Sequence, residues 1–266
     1  MTEFDTTKYG TLQADVTYAT VDGMELKMDV YYPSTGGPWP GVIFIHGGGW
    51  SEGDKAPLAV NPAQAGFLTV SINYRMYPAY RFPAMIEDVK CAIRYLRQHA
   101  GLFNLDSSRI GLIGHSAGAH LAALAGLVDD RLGWDVGPYL DQSSRVQAVV
   151  EVAGPTDLCR SFSEEVNAMK RNVFEEAHWA SASPLTYANA GAPPFLIVHG
   201  DADEAVPVEQ AELFYQALHQ AGAPVEKIIL HNGSHGLMPV GGEMTPSAET
   251  TFAMILAFLS RSLGRA

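Results

Sequence analysis

The sequence predicts an α/β fold built on a mostly parallel sheet with helices on both faces, and three observations carry that expectation. Apolar runs of strand length alternate along the chain with longer stretches of helical periodicity. Four of those apolar runs pass directly into turns rich in Gly, His, Asp or Ser. A chain of 266 residues with 47% hydrophobic side chains buries one large core, which suits a single domain over 1–266.

Taken in order, residues 14–20 and 24–33 read as two strands joined near Asp22-Gly23. Gly41 to Ile45 and Phe67 to Ile72 are short and almost wholly apolar, as central strands buried on both faces must be. Between Pro83 and Gly101, the residues Ala84, Ile86, Val89, Ala92, Ile93 and Leu96 fall at helical spacing, with Pro83 as a first-turn residue and Gly101 as the stop. Arg109 to Ile113 is the end of a strand, and His120 to Leu127 is a packed helix. Val146–Val152 and Phe195–Val198 are further strands, and helix 207–221, strand 225–230 and helix 246–263 close the pattern. Residues 155–194 separate two strands by more than an ordinary connection and carry Phe162, Met169, Phe174 and Trp179 among charges, so they are expected to form a short lid-like insertion or pocket wall.

Composition narrows the partners. The formal net charge is −12 with no basic run or stripe, which leaves phosphate backbones little to bind and makes nucleic acid an unexpected partner. No apolar run approaches the ~20 residues that cross a bilayer, so no membrane partner is expected. Residues 1–8 are polar and acidic where a secretory signal would be basic and then apolar, and the expected location is the cytoplasm. Two cysteines, Cys91 and Cys159, make no disulfide framework and are expected to be reduced and buried.

The chemistry lies in the turns. In Gly114-His115-Ser116-Ala117-Gly118 the serine stands where a strand bends sharply into a helix, and glycine two positions away on either side removes the collisions such a bend creates. This holds a hydroxyl at the carboxyl edge of the sheet, where sites form in open α/β folds. Acyl transfer needs a base beside the nucleophile, a carboxylate to fix the base's tautomer and N–H donors for the oxyanion. His235 offers the base and Asp203 the carboxylate, with Asp201 two residues away as the rival acid. The turn Gly47-Gly48-Gly49 offers exposed N–H groups from Gly48 and Gly49, and Ala117 offers another.

These residues resemble the α/β-hydrolase serine esterases with an H-G-G-G-W oxyanion turn, a group that includes carboxylesterases, acetyl and feruloyl esterases and hormone-sensitive-lipase-like esterases. The resemblance runs through His46 to Trp50, Gly114 to Gly118, His199-Gly200 with Asp203 and Val206-Pro207, and Ser234-His235-Gly236. It implies an eight-stranded, mostly parallel sheet, Ser116 as nucleophile, and neither a metal nor an organic cofactor. It also favours Asp203 over Asp201, since Asp203 stands three residues before Val206-Pro207. The expected ligand is a small-molecule ester with a short acyl group such as acetyl or butyryl, on an aryl or sugar alcohol, and a homodimer is the expected assembly. Trp50, Tyr74, His115, Leu237 and Met238 are expected to line the substrate pocket, with Trp50, Leu237 and Met238 closing the acyl side.

Competing readings remain open at this level. The same triad serves aryl-formamide hydrolases and peptidases, and the fold also hosts non-catalytic binding proteins. His231 and His235 are four residues apart, but Asn232 and Gly233 break any helix that would make a two-histidine metal face. His46 is expected to shape the oxyanion turn. His99, His120, His178, His199 and His219 are expected in structural roles, and Tyr74, Tyr77, Tyr80 and Phe82 either line the cleft or pack beneath it.

Overall fold

A hairpin begins the described part of the chain. In the computed structural model, which describes residues 11–55, 62–129 and 132–264, β1 (Thr11–Val21) and β2 (Met24–Tyr32) are antiparallel. Asp22 and Gly23 join them with φ of 50° and 81°, the left-handed pair that two-residue hairpins require. The chain continues through β3 (Trp39–Ile45), β4 (Leu68–Ile72), α1 (Ala84–Gln98), the single turn α2 (Ala100–Phe103), β5 (Leu105–His115) and α3 (Ala117–Leu127). It then forms β6 (Ala148–Val152), α4 (Glu164–Val173), β7 (Phe195–Gly200), α5 (Glu209–Gln220), β8 (Val225–Leu230) and α6 (Ala248–Leu263).

The strands make one eight-stranded sheet in the order β1-β2-β4-β3-β5-β6-β7-β8. β2 runs antiparallel to β1 and β4, and every pairing from β4 to β8 is parallel. β4 and β6 are buried along their whole length because helices cover both faces. Ile86, Val89, Leu121, Leu124, Phe214 and Leu218 pack one face against Ile43, Val149 and Ile197. Ile255, Phe258, Leu259 and Leu263 of α6 pack the other against Val42, Val150 and Leu196. Residues 105–108 join β5 beyond the expected strand because Leu105 pairs with Trp39 ahead of a register shift.

Residues 155–194 contain α4, capped by Ser163 accepting from the Val166 N–H, and two short 3-10 turns. Cys91 is buried as expected, but Cys159 is exposed, a correction that follows from its place in the surface turn where Asp157 accepts its N–H. Residues 1–8, read above as polar and acidic, lie outside the described residues. Among the described residues no helix is long and apolar enough to cross a membrane.

Candidate active site

Parallel strands deliver their carboxyl ends to one edge, and three of them supply the site. β5 ends at His115, and Ser116 follows with φ 54° and ψ −120°, a conformation costing about 1–3 kcal/mol that the surrounding structure must hold. Its N–H donates to the Val152 carbonyl at 2.8 Å, and its own carbonyl accepts from Ala119 and His120 as α3 begins. A Cβ at Gly114 would lie 2.2 Å from the Gly118 carbonyl oxygen, and one at Gly118 would lie 2.0 Å from that of Ile45. The two glycines are therefore demanded by backbone contact. Gly118→Ala is expected to lower the thermal midpoint by several degrees or prevent folding, as read by circular dichroism.

The structure brings Ser116, His235 and Asp203 together. The Ser116 hydroxyl donates to His235 Nε2 at 2.9 Å, and His235 Nδ1–H donates to Asp203 Oδ2 at 2.8 Å. Asp203 is fully enclosed, and its Oδ1 accepts from the N–H groups of Ala205 and Val206 at 2.9 and 2.8 Å. Burial alone would raise its carboxyl pKa. Hydrogen bonds from His199, His235 and the Val206 N–H outweigh it and hold the group well below the usual carboxylate range. Asp201 instead caps the turn at the surface, accepting from His231 Nδ1 and the Asn232 N–H at 2.8 and 2.7 Å. His231 and His235 thus point to different carboxylates.

The glycine turn faces the serine. Gly48 and Gly49 have φ of 106° and 56°. Among the described residues the N–H groups of Gly48, Gly49 and Ala117 donate to no protein acceptor, which leaves three donors free near Ser116. His46 sits under this turn, its Nδ1–H donating to the Gly47 carbonyl at 2.7 Å. Burial lowers its pKa.

A cavity of about 250 Å³ opens beside Ser116 and His235. Gly48, Gly49, Trp50, His115 and Ala117 border it, together with Pro155, Glu165, Val166 and Met169 from the long connection. Trp50 is 1% exposed and donates its indole N–H to His120 Nδ1, so it is a fixed wall. His115 donates Nε2–H to the His235 carbonyl at 2.9 Å and thereby ties the histidine loop to β5.

The expectations that Tyr74, Leu237 and Met238 line the pocket need correction, and the open alternative for the aromatic cluster is decided. Tyr74 is absent from the cavity lining: its hydroxyl donates to the His46 carbonyl at 3.0 Å and its ring stacks on His46, so it packs under the glycine turn. Phe82 packs on Phe174, Trp134 and His120, and Tyr80 lies against Arg75, so the aromatic cluster supports the site from below. Leu237 and Met238 line a separate apolar cavity of about 370 Å³ beneath α6, reached by His115 as well. The turn after β8 reverses at Leu237, with φ 55°, and carries both side chains away from Ser116. Their places as pocket walls are taken by Val166 and Met169, which only their position in the 155–194 connection hinted at.

One functional neighbour was missed. His199, expected in a structural role, has Nε2 3.1 Å from Asp203 Oδ2 and 2.8 Å from the Val206 carbonyl oxygen. The signal was in the sequence, since Asp203 follows four residues later in a turn that doubles back on the strand end. Buried Glu151 of β6 belongs to the same region: burial pushes its carboxyl up to about 7, against the charge of His199 and the Gly154 N–H. His199 is lowered by burial but raised more by Asp203 and Glu151. Both folded values exceed the ordinary ones, so the folded state binds extra proton. The contribution of these two groups to stability is then fully present below the unfolded carboxylate range near ~4 and is lost as pH rises through about 7. Glu151→Gln should flatten that decline in urea unfolding across the same pH range.

A sharply turned serine, a histidine and a buried aspartate at the carboxyl edge of this sheet define a chain of the α/β-hydrolase fold. Comparison with known proteins specifies the family. The chain belongs to the BD-FAE family, whose model matches residues 28–218. It is 33% identical over 240 residues to esterase LipC of Mycobacterium tuberculosis, covering 85% of this chain but 60% of the relative, so it spans less than two thirds of that protein. A truncated carbohydrate esterase from gut microbiota superposes with a TM-score of 0.81 at 29% identity, over 97% of this chain and 98% of the other. Esterase 2 of Thermogutta terrifontis, solved phosphorylated by paraoxon, gives a TM-score of 0.82 at 26% identity over 97% and 96%. That protein has also been solved with butyrate and with propionate bound.

Proposed function

We propose that the protein is a serine carboxylesterase that hydrolyses short-acyl esters through an acyl-enzyme. The observation carrying this reading is the continuous relay from Ser116 through His235 to Asp203, facing a small cavity with free N–H groups at its edge. Ser116 Oγ attacks the ester carbonyl carbon while its proton passes to His235 Nε2, and the oxyanion is held by N–H groups of Gly48, Gly49 and Ala117. Collapse expels the alcohol, which takes the proton from His235. Water then attacks the acyl carbon, gives its proton to His235, and the acid leaves as Ser116 recovers its hydrogen. Asp203 stays ionised throughout. Small carboxylic acids bound to the Thermogutta esterase agree with a short acyl group here.

The test is kcat/KM across a p-nitrophenyl ester series, beside acetylated sugars, feruloyl esters and aryl formamides. With Met169 and Val166 closing the cavity, rates are expected to peak at roughly two to four acyl carbons and fall steeply by about eight, because overpacking costs more than added burial returns. A maximum at eight carbons or beyond would overturn the short-acyl assignment. Preference for formamides would overturn the ester assignment. Met169→Ala should move the optimum to longer chains, since its sulfur sits where a Cβ on Gly49 would approach to 2.2 Å.

A further inference from the structure

Gly48, Gly49 and Trp50 are consecutive residues with positive φ, at 106°, 56° and 59°. Glycine adopts such angles freely, but tryptophan does so only where its surroundings impose them. The turn that presents the Gly48 and Gly49 N–H groups therefore depends on what grips Trp50. Its carbonyl accepts from the Tyr77 N–H at 3.0 Å, and its ring meets His120 and Phe174 edge to face, with centroids 5.3 and 4.9 Å away. The one polar atom of the side chain, the indole Nε1–H, donates to His120 Nδ1 at 3.2 Å.

His120 is buried on α3, four residues after Ser116. An indole nitrogen only donates, so Nδ1 must be bare and the imidazole hydrogen must sit on Nε2. Nε2–H finds the matching acceptor, the Ala182 carbonyl, at 2.7 Å. Burial pushes the imidazole pKa down to about 4, so Nδ1 remains an acceptor at neutral pH. The main-chain N–H of His120 donates to the Ser116 carbonyl at 3.1 Å. One residue thus joins the nucleophile's turn, the glycine turn and the 155–194 connection.

We propose that His120 is a positioning residue that, through its Nδ1 bond to Trp50, holds the glycine turn against the Ser116 turn and so aims the Gly48 and Gly49 N–H groups at the oxyanion. The inference rests on the serine esterase reading above. His120 is not among the residues bordering the cavity beside Ser116, so it acts through Trp50. Its effect belongs to the step in which negative charge develops on the ester oxygen, and therefore to kcat more than to KM.

Two amides separate the two ring nitrogens. In His120→Asn the side-chain oxygen takes the place of Nδ1 and the donor to Ala182 is lost. In His120→Gln the amide N–H takes the place of Nε2 and the acceptor for Trp50 is lost. With p-nitrophenyl acetate, His120→Gln is expected to lower kcat about thirtyfold with KM within about twofold, whereas His120→Asn keeps kcat within about fivefold of the parent but melts at lower temperature. The indole proton resonance of Trp50 should keep its position in the Asn variant and move in the Gln variant. Trp50→Phe removes the same bond from the other side, so the Trp50→Phe, His120→Gln double variant should lie within about threefold of Trp50→Phe alone. This cycle carries the test if the Asn variant does not fold. Equal kcat in the Asn and Gln variants, or losses that multiply in the double variant, would overturn the positioning role. Activity retained by Ser116→Ala would instead remove the catalytic reading beneath it.

Discussion

Ser116→Ala is expected to lower kcat by about a millionfold while leaving the fold intact, because removal of the nucleophile ends the acyl-enzyme route and leaves only binding and oxyanion donors. The local structure makes this substitution clean. Ser116 holds its strained backbone through main-chain bonds to Val152, Ala119 and His120, none of which uses the hydroxyl. Alanine at φ 54° therefore inherits the same frame. Steady-state hydrolysis of p-nitrophenyl acetate, with circular dichroism as the folding control, reads the effect directly. Incubation with paraoxon followed by peptide mass analysis should place a single phosphoryl group on Ser116 in the parent protein. Labelling at Ser234, or more than about one per cent residual activity in the alanine variant, would contradict the assignment.

Asp203→Asn should reduce kcat by about ten-thousandfold, a barrier increase of roughly 5 kcal/mol. The groups hydrogen-bonded to this carboxylate are donors: the His235 ring N–H at Oδ2 and two main-chain N–H groups at Oδ1, with His199 Nε2 3.1 Å from Oδ2. An amide placed there confronts a donor with its NH2 in either orientation. If the NH2 faces His235, the imidazole must give up its Nδ1 hydrogen, and Nε2 can no longer accept from Ser116. If it faces Ala205 and Val206, two buried N–H groups lose their acceptor and stability falls. Asp201→Asn faces His231 and Asn232 at the surface and should leave kcat within a few-fold. The reverse ranking of the two variants in ester hydrolysis would show that the wrong aspartate had been chosen.

The sequence by itself determined the alternation of strands and helices, the single sheet and the positions of Ser116, Asp203 and His235, for one physical reason. Each depends on signals local in the chain: an apolar run sets a buried strand, and glycine beside serine sets the turn that ends it. The three strand ends then meet because parallel strands deliver their carboxyl ends to one edge. The choice of Asp203 over Asp201 needed a resemblance as well, since both stand in one turn and composition does not separate them. Only the tertiary structure decided what surrounds the triad. Leu237 and Met238 follow His235 directly, yet a left-handed residue in that turn carries them to another cavity. Val166 and Met169 are distant in sequence, yet α4 lays them along the cavity beside Ser116. Tyr74 was sent beneath the glycine turn by the need of its buried hydroxyl for a carbonyl. Glu151 and His199 likewise share a face through the register between β6 and β7, since strand pairing alone decides which distant side chains project together.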